Sequence, residues 1–424
     1  MLAVAHPPML VAVEMGYGHL RPAHALAAEL GVEVVEVDRP PLSDPDEQKL
    51  WLRVRQFYES VSRLSQIPAV GPPLRQLLET ITSIPHLHPH RDLSAPTNGV
   101  RMLDWMAERG LGEGLIGHMR RTGSPLLTTY FAPAIVADRA GVSGVHCVVT
   151  DTDINRVWAP REGSRSQIVY FAPSKRVVRR LRAYGVKHEL IHYTGYPLPP
   201  ELLGGHDLPV LHRNLAARLV RLDPERTFID RHRDEIERRI GALPAGEAGK
   251  PPHLVFAVGG AGAQANLADR FLPSFARPMA NGRFRLTLVA GVKDKVAARF
   301  RRAIERTGAA AEILHEPRLP DYFRRFNALL AETDVLWTKP SEITFFAALG
   351  LPLVFSWPVG VHEAYNRRWA LEAGGGFKQG DPRFAAEWMS DWLADGTLAA
   401  AAWAAYRNLP KRGLYRIAER FRYP

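Results

Sequence analysis

Met9-Leu10-Val11-Ala12-Val13 is followed by Glu14-Met15-Gly16-Tyr17-Gly18-His19-Leu20-Arg21-Pro22 and then by an alanine-rich run that ends at Leu30. The first five residues are apolar and include β-branched side chains, the pattern of a parallel strand buried on both faces. Ala23 to Leu30 reads as the helix after it, so the glycines fall in a strand-to-helix turn. Such turns lie at the carboxyl edge of an open α/β sheet, where ligands bind, and a missing side chain lets a ligand approach the backbone. Gly16 and Gly18 therefore mark a ligand-facing loop. His19 is the candidate catalytic base, because an imidazole titrates near neutral pH and can remove a proton from a hydroxyl. The competing role is a histidine that caps the helix.

Further apolar runs at 32–37, 126–130, 145–149 and 167–171 alternate with helical stretches, as in a parallel sheet with crossovers. A proline-rich segment from about 40 to 100 interrupts them. Within it Trp51, Val54, Phe57, Tyr58, Val61 and Leu64 recur at three and four residues and form one apolar stripe, which packs on the domain or meets an acceptor or membrane. A second α/β series has strands at 253–258, 284–290, 311–315, 334–338 and 352–356. The expected organisation is an amino-terminal domain over 1–205 with the insertion at about 40–100, a polar interdomain connection over 206–250, a second domain over 251–380, and packed helices carrying Trp388, Trp392, Trp403 and Tyr406 over 381–424.

The length of 424 residues suits two domains of about 200 each. Hydrophobic residues make up 46% of the chain and no run of about 18 uncharged apolar residues occurs, so a soluble, non-spanning protein is expected. The start shows no secretory pattern. One cysteine, Cys147, excludes an internal disulfide and suits a reducing cytoplasm. The net charge of +11 favours anionic partners. Much of it is interleaved with acid, as in Asp230-Arg231-His232-Arg233-Asp234-Glu235, which reads as a solvated helix face. No zinc-finger spacing, RNA-recognition aromatics or helix-turn-helix signal appears, so nucleic acid is not an expected partner.

The turn after the strand at 253–258, Gly259-Gly260-Ala261-Gly262-Ala263-Gln264, exposes backbone amides at a helix start and suits a diphosphate. Gly260, Gly262 and Ala265 also satisfy a loose dinucleotide-binding pattern. The following strand ends at Val289-Ala290-Gly291 with no acidic residue at its end to hold a ribose, which argues against that alternative. Asp151 and Asp153 form an Asp-x-Asp that could hold a divalent cation. No metal is expected, and Asp151, at a strand end, reads instead as a residue that orients His19 or the acceptor. His86, His88 and His90 read as a surface loop. Lys175, Arg176, Arg179, Arg180 and Arg182 read as a solvated helix face or as a contact for anionic lipid or polyphosphate.

One order of motifs runs through the second half: Asp334-Val335-Leu336-Trp337-Thr338-Lys339-Pro340-Ser341-Glu342, then Ala347-Ala348-Leu349-Gly350-Leu351-Pro352, then Pro358-Val359-Gly360-Val361-His362-Glu363-Ala364-Tyr365-Asn366. It resembles the donor-binding half of GT-B glycosyltransferases, in particular the group of monogalactosyldiacylglycerol synthase and the lipid-linked N-acetylglucosaminyltransferase of peptidoglycan synthesis. The amino-terminal Gly-x-Gly-His, the strand end at Thr150-Asp151 and Thr194-Gly195-Tyr196-Pro197 extend the resemblance over both halves. It implies an α/β fold of two Rossmann-like, doubly wound domains facing a cleft, with acceptor on the first and nucleotide sugar on the second.

By the same resemblance His19 is the general base, Gly260, Gly262 and Gln264 face the diphosphate, and Lys339 and Ser341 line the nucleotide. His362-Glu363 stands where Gln-Glu is usual, Glu363 would take sugar hydroxyls, and Asn366 would start the next helix near the phosphates. Phe345, seven residues before Pro352, stands where the group carries a ribose-binding glutamate; Glu342, one turn earlier, is the substitute. The implied activity is inverting transfer of a hexose from a nucleotide sugar, UDP by default, to a hydroxyl of a lipid or other hydrophobic acceptor, without a cofactor. A sugar-nucleotide 2-epimerase and an inactive nucleotide-sugar-binding protein are the alternatives. The expected location is the cytoplasm, and the basic charge and lipid-acting relatives point to an acceptor at the inner face of a membrane, with a small hydrophobic acceptor as the rival.

Overall fold

The computed structural model describes residues 7–14, 16–64, 84–259, 262–358 and 360–422, with the side chains of 57–64 outside it. Of the residues singled out above, Gly260 and the side chains of Phe57, Tyr58, Val61 and Leu64 lie outside the described residues. The chain divides into two compact units. The first comprises Met1–Pro197, Val359–Asn366 and Arg412–Pro424; the second comprises Leu198–Pro358 and Arg367–Lys411.

The first unit contains β1 (Met9–Ala12), β2 (Val34–Glu36), β3 (Leu126–Thr128), β4 (Val145–Val148), β5 (Val169–Ala172) and β6 (Ile191–Tyr193), in the order β2-β1-β3-β4-β5-β6. Leu10, Val11 and Ala12 are wholly inaccessible, as a parallel strand covered on both faces requires. The second unit contains β7 (His253–Ala257), β8 (Arg285–Gly291), β9 (Glu312–His315), β10 (Val335–Thr338), β11 (Leu353–Phe355) and β12 (Gly376–Lys378), ordered β12-β11-β10-β7-β8-β9. All these pairings are parallel.

In each sheet the winding reverses beside the first strand, between β1 and β3 and between β7 and β10. Val11 is in register with Thr128, and Ala257 with Thr338. Loops leaving the carboxyl ends of those strands flank a crevice, the usual ligand position of doubly wound sheets.

Several expectations change. Residues 206–250 contain the helices Pro209–Leu222 and Ile229–Ile240, which belong to the second unit. Leu211, Leu215, Leu219, Leu222, Ile229, Ile236 and Ile240 are buried, an apolar stripe that the abundant arginine conceals. The terminal stretch divides, with the helix Gly413–Arg422 in the first unit. Arg180 does not lie on a solvated face: it is 1% exposed and forms a two-pronged ion pair with Asp153 at 2.9 Å, which also occupies the second carboxylate of the Asp-x-Asp. Trp51 and Val54 of the helical stripe are buried in the core of the first unit. No helix among the described residues is long and apolar enough to cross a membrane.

Candidate functional site

In the first unit the helix after β1 begins at Tyr17, so His19 sits in its first turn rather than ahead of it. Gly16 caps that helix at φ 106°, a conformation that favours glycine, and no described atom stands within 4 Å of where a Cβ would project. Pro22 has no N–H to return to the Gly18 carbonyl, which loosens the first turn.

His19 Nδ1 lies 2.8 Å from the Thr129 carbonyl and 3.2 Å from Thr150 Oγ1. A carbonyl only accepts, so Nδ1 carries the proton of the neutral ring and the lone pair is on Nε2. The Thr129 hydroxyl donates to the His19 carbonyl at 2.7 Å, so one residue after β3 fixes both the backbone and the ring of the histidine. Tyr130 meets the imidazole edge-on at 4.8 Å and Trp158 lies 6.3 Å away, both buried. Burial pushes the Tyr130 hydroxyl far above its ordinary range, so this wall acts as an apolar surface.

Asp151 Oδ1 accepts from Asn366 Nδ2 at 3.3 Å, while Thr150, beside it at the strand end, accepts from the ring at Nδ1. Asn366 is inaccessible to solvent and its Oδ1 accepts from the Thr152 amide at 3.1 Å and hydroxyl at 2.8 Å. It stands in the second turn of the helix Val361–Glu372 and so does not start that helix. Glu363 is buried in the first turn, and His362 beside it is exposed. His362, Glu363 and Asn366 all belong to the first unit.

In the second unit the turn between β7 and the helix Leu267–Ala280 packs against the end of β10. The Thr338 hydroxyl donates to the Ala257 carbonyl at 3.0 Å, and a Cβ on Gly259 would come within 2.2 Å of Lys339 Cε. Glycine thus leaves the lysine room to lie across the turn, where a Cβ would push its flexible end aside. Gly262 closes the turn with φ 71° and an amide bond to the Gly259 carbonyl at 2.7 Å. Gln264 has φ 67°, unusual for a residue with a side chain. Its amide nitrogen donates to the Trp357 carbonyl at 2.6 Å, and its oxygen accepts from the Ser356 hydroxyl. The loop after β7 is thus tied to the loop after β11, beyond β10.

Ser341 and Glu342 open the 3₁₀ segment Glu342–Leu349, which is buried throughout. Ser341 Oγ and Thr344 Oγ1 are buried without a protein hydrogen-bond partner among the described residues. With three residues per turn, Glu342 and Phe345 share a face. Phe345 is committed to packing edge-on against Trp369 at 5.3 Å, and Glu342 carries the carboxylate on that face. Among the described residues no group of three or more His, Cys, Asp or Glu lies together as a metal site.

No family model matches the sequence, and no curated protein does. Solved structures match in shape. The UDP-GlcNAc 2-epimerase of Neisseria meningitidis bound to UDP-GlcNAc aligns over 97% of this chain and 98% of its own, with 11% identity and a TM-score of 0.50. The glycotransferase of kitacinnamycin aligns over 98% of each chain, with 14% identity and a TM-score of 0.50. Together with two doubly wound sheets of the same winding, these two decide the architecture. The fold is GT-B.

The GT-B architecture brings Gly16, Gly18 and His19 to the crevice of the first sheet, and Gly262, Gln264, Lys339, Ser341 and Glu342 to that of the second. Thr129 was not singled out by the sequence, and Thr150 entered only as part of the strand end Thr150-Asp151; Thr129 directly follows β3 and Thr150 lies two residues past β4, both on the ligand edge of the GT-B sheet. Ser356 has the same position after β11. Their common signal is a hydroxyl residue just past an apolar strand.

Proposed function

We propose that the chain is a glycosyltransferase that moves a hexose from a nucleotide sugar, UDP by default, to a hydroxyl of a lipid or other hydrophobic acceptor. The observation that carries this reading is the contrast between the two crevices: one offers an imidazole in a defined tautomer, the other an amide turn, a lysine and a buried carboxylate. The Neisseria meningitidis structure of the same fold, bound to UDP-GlcNAc, supports a nucleotide sugar as the second unit's ligand.

In this reading His19 Nε2 takes the proton of the acceptor hydroxyl as its oxygen attacks the anomeric carbon. The bond from that carbon to the diphosphate breaks with inversion, and its electron pair leaves with the nucleoside diphosphate. The leaving charge meets the Lys339 ammonium and the dipole of the helix that follows the glycine turn. Ser341 and Glu342 take ribose hydroxyls, and Glu363 with His362 takes the sugar. Asp151 and Asn366 have a positioning role, anchoring the start of the helix that carries Glu363. No metal or resident cofactor has a step in this scheme. The net charge of +11 favours an anionic membrane surface in the cytoplasm, each well-placed cation contributing about 1 kcal/mol.

Thermal unfolding against UDP, GDP, CMP, dTDP, their sugars and NADH tests the reading, since a ligand at about 100 times its dissociation constant stabilises by about 2.7 kcal/mol. Stabilisation by one nucleoside diphosphate and its sugar, followed by transfer to a lipid hydroxyl, is the expected result. Stabilisation by NADH alone overturns it. Isomerisation of the sugar nucleotide without any acceptor assigns the chain to the 2-epimerases instead.

A further inference from the structure

Arg218 lies in the helix Pro209–Leu222 and is 2% exposed. Its guanidinium donates to four backbone carbonyls: Nε to Thr333 at 2.8 Å, Nη1 to Leu349 at 2.9 Å and Gly350 at 3.1 Å, and Nη2 to Leu330 at 3.4 Å. Leu330 and Thr333 end the helix Leu319–Glu332, and Leu349 and Gly350 end the 3₁₀ segment Glu342–Leu349. Helix carboxyl ends leave carbonyls unbonded and carry partial negative charge, so one buried cation answers two of them. Burial lowers the guanidinium to about 10, and it stays charged at neutral pH. Filling that volume alone would need only an apolar side chain, without the penalty of burying a charge.

The 3₁₀ segment is eight residues long, where such helices rarely exceed three or four. At about 2.0 Å per residue it spans about 16 Å, against about 12 Å for the same residues in an α-helix. Its start is fixed by β10, which ends at Thr338 in register with Ala257. Its end is fixed by Arg218. We propose that Arg218 is a positioning residue: by holding the last carbonyls it keeps the segment at 3₁₀ length, and so sets where Ser341 and Glu342 stand toward the ribose of a bound nucleotide. This rests on the nucleotide-sugar reading of the second unit, and it assigns a role to a residue far along the chain from the crevice.

The test uses the full chain with Arg218→Lys, which keeps the cation but loses the planar fork, Arg218→Met, and Arg221→Lys as a control. Arg221 lies on the same helix but pairs with Asp334, before β10. Amide hydrogen exchange of 342–350 should accelerate about tenfold or more in Arg218→Lys, with β7 and β8 unchanged, and should not do so selectively in Arg221→Lys. The dissociation constant for UDP should rise about tenfold, and Glu342→Gln should add about threefold or less in that background although it weakens the parent about tenfold. Exchange at the wild-type rate in 342–350, acceleration spread evenly over the unit, or additive effects of the two substitutions would each overturn the proposal. If Arg218→Met does not fold, Arg218→Lys alone decides. A wild-type chain that binds no nucleotide would sink the nucleotide reading, and the exchange data would still decide whether Arg218 sets the segment.

Discussion

The two sheets wind alike, with their switch points beside β1 and β7, yet the edges carry opposite kinds of chemistry. Beside β1 the proposed active atom is on a side chain: an imidazole whose Nδ1 is satisfied by Thr129 and Thr150. Beside β7 the proposed binding element is the backbone turn, overlaid by Lys339 and latched by Gln264. The shared topology sets where loops converge, and a few residues in those loops set what each edge can do. The largest expected effect tests this separation. His19→Ala should lower transfer about 10³-fold, within the range for a general base, while the affinity for UDP stays within about twofold. Equal loss of both, read by single-turnover rates and by titration, would make the histidine structural and erase the contrast.

The units also differ beneath their edges. His253, which opens β7, bonds Thr287 Oγ1 through Nε2 at 2.8 Å, and its amide donates to Asp334. Burial, with Arg285 and Arg221 nearby, lowers its pKa from 6.5 to about 4. The unfolded chain therefore binds a proton here that the native state refuses. Stability is full above about pH 6.5 and falls as the pH drops toward 4, by as much as about 3 kcal/mol. Urea unfolding at pH 7 and pH 4.5 should show most of this loss in the wild type and little in His253→Gln. In the first unit burial also lowers His24, His146 and His192. A pH slope that survives His253→Gln would show that groups other than His253 carry the acid sensitivity, these three histidines among the candidates.

What was legible in the sequence follows the same divide between backbone pattern and side-chain partner. Ten apolar runs located ten strands; the eight interior ones are apolar because both faces are covered, and the edge strands β2 and β9 sit in runs with enough valine, isoleucine and leucine to be seen. β6 and β12 escaped notice, since Ile191-His192-Tyr193 and Gly376-Phe377-Lys378 are edge strands with polar residues and little to hide. The stretch at 206–250 misled because its arginines suggested solvent, whereas Arg218 is consumed by carbonyls and Arg221 by the carboxylates of Asp334 and Glu247 inside the second unit. Gly16, Gly18 and His19 were readable from the turn that contains them. The partners of His19 were not, because β3 and β4 begin more than 100 residues later and only the sheet order brings Thr129 and Thr150 to the ring. Asn366 carried the right spacing for a donor loop, yet its amide is engaged by Thr152 and Asp151.

The smallest effect asks how much of the first edge depends on its positioning groups. Thr150→Val keeps the shape and removes the hydroxyl 3.2 Å from Nδ1, while the shorter bond to the Thr129 carbonyl remains and still fixes the tautomer. The lost contact is worth about 1 kcal/mol, so kcat should fall about fivefold, the acceptor KM should hold, and Thr150→Ser should restore the rate. A loss approaching that of His19→Ala would mean that Thr150, at the end of β4, controls the ring's orientation more than Thr129 does. The first edge would then be a relay of hydroxyl and imidazole rather than a single base. No change at all would leave Thr129 alone as the residue that aims the base, through the one carbonyl that cannot be altered by substitution.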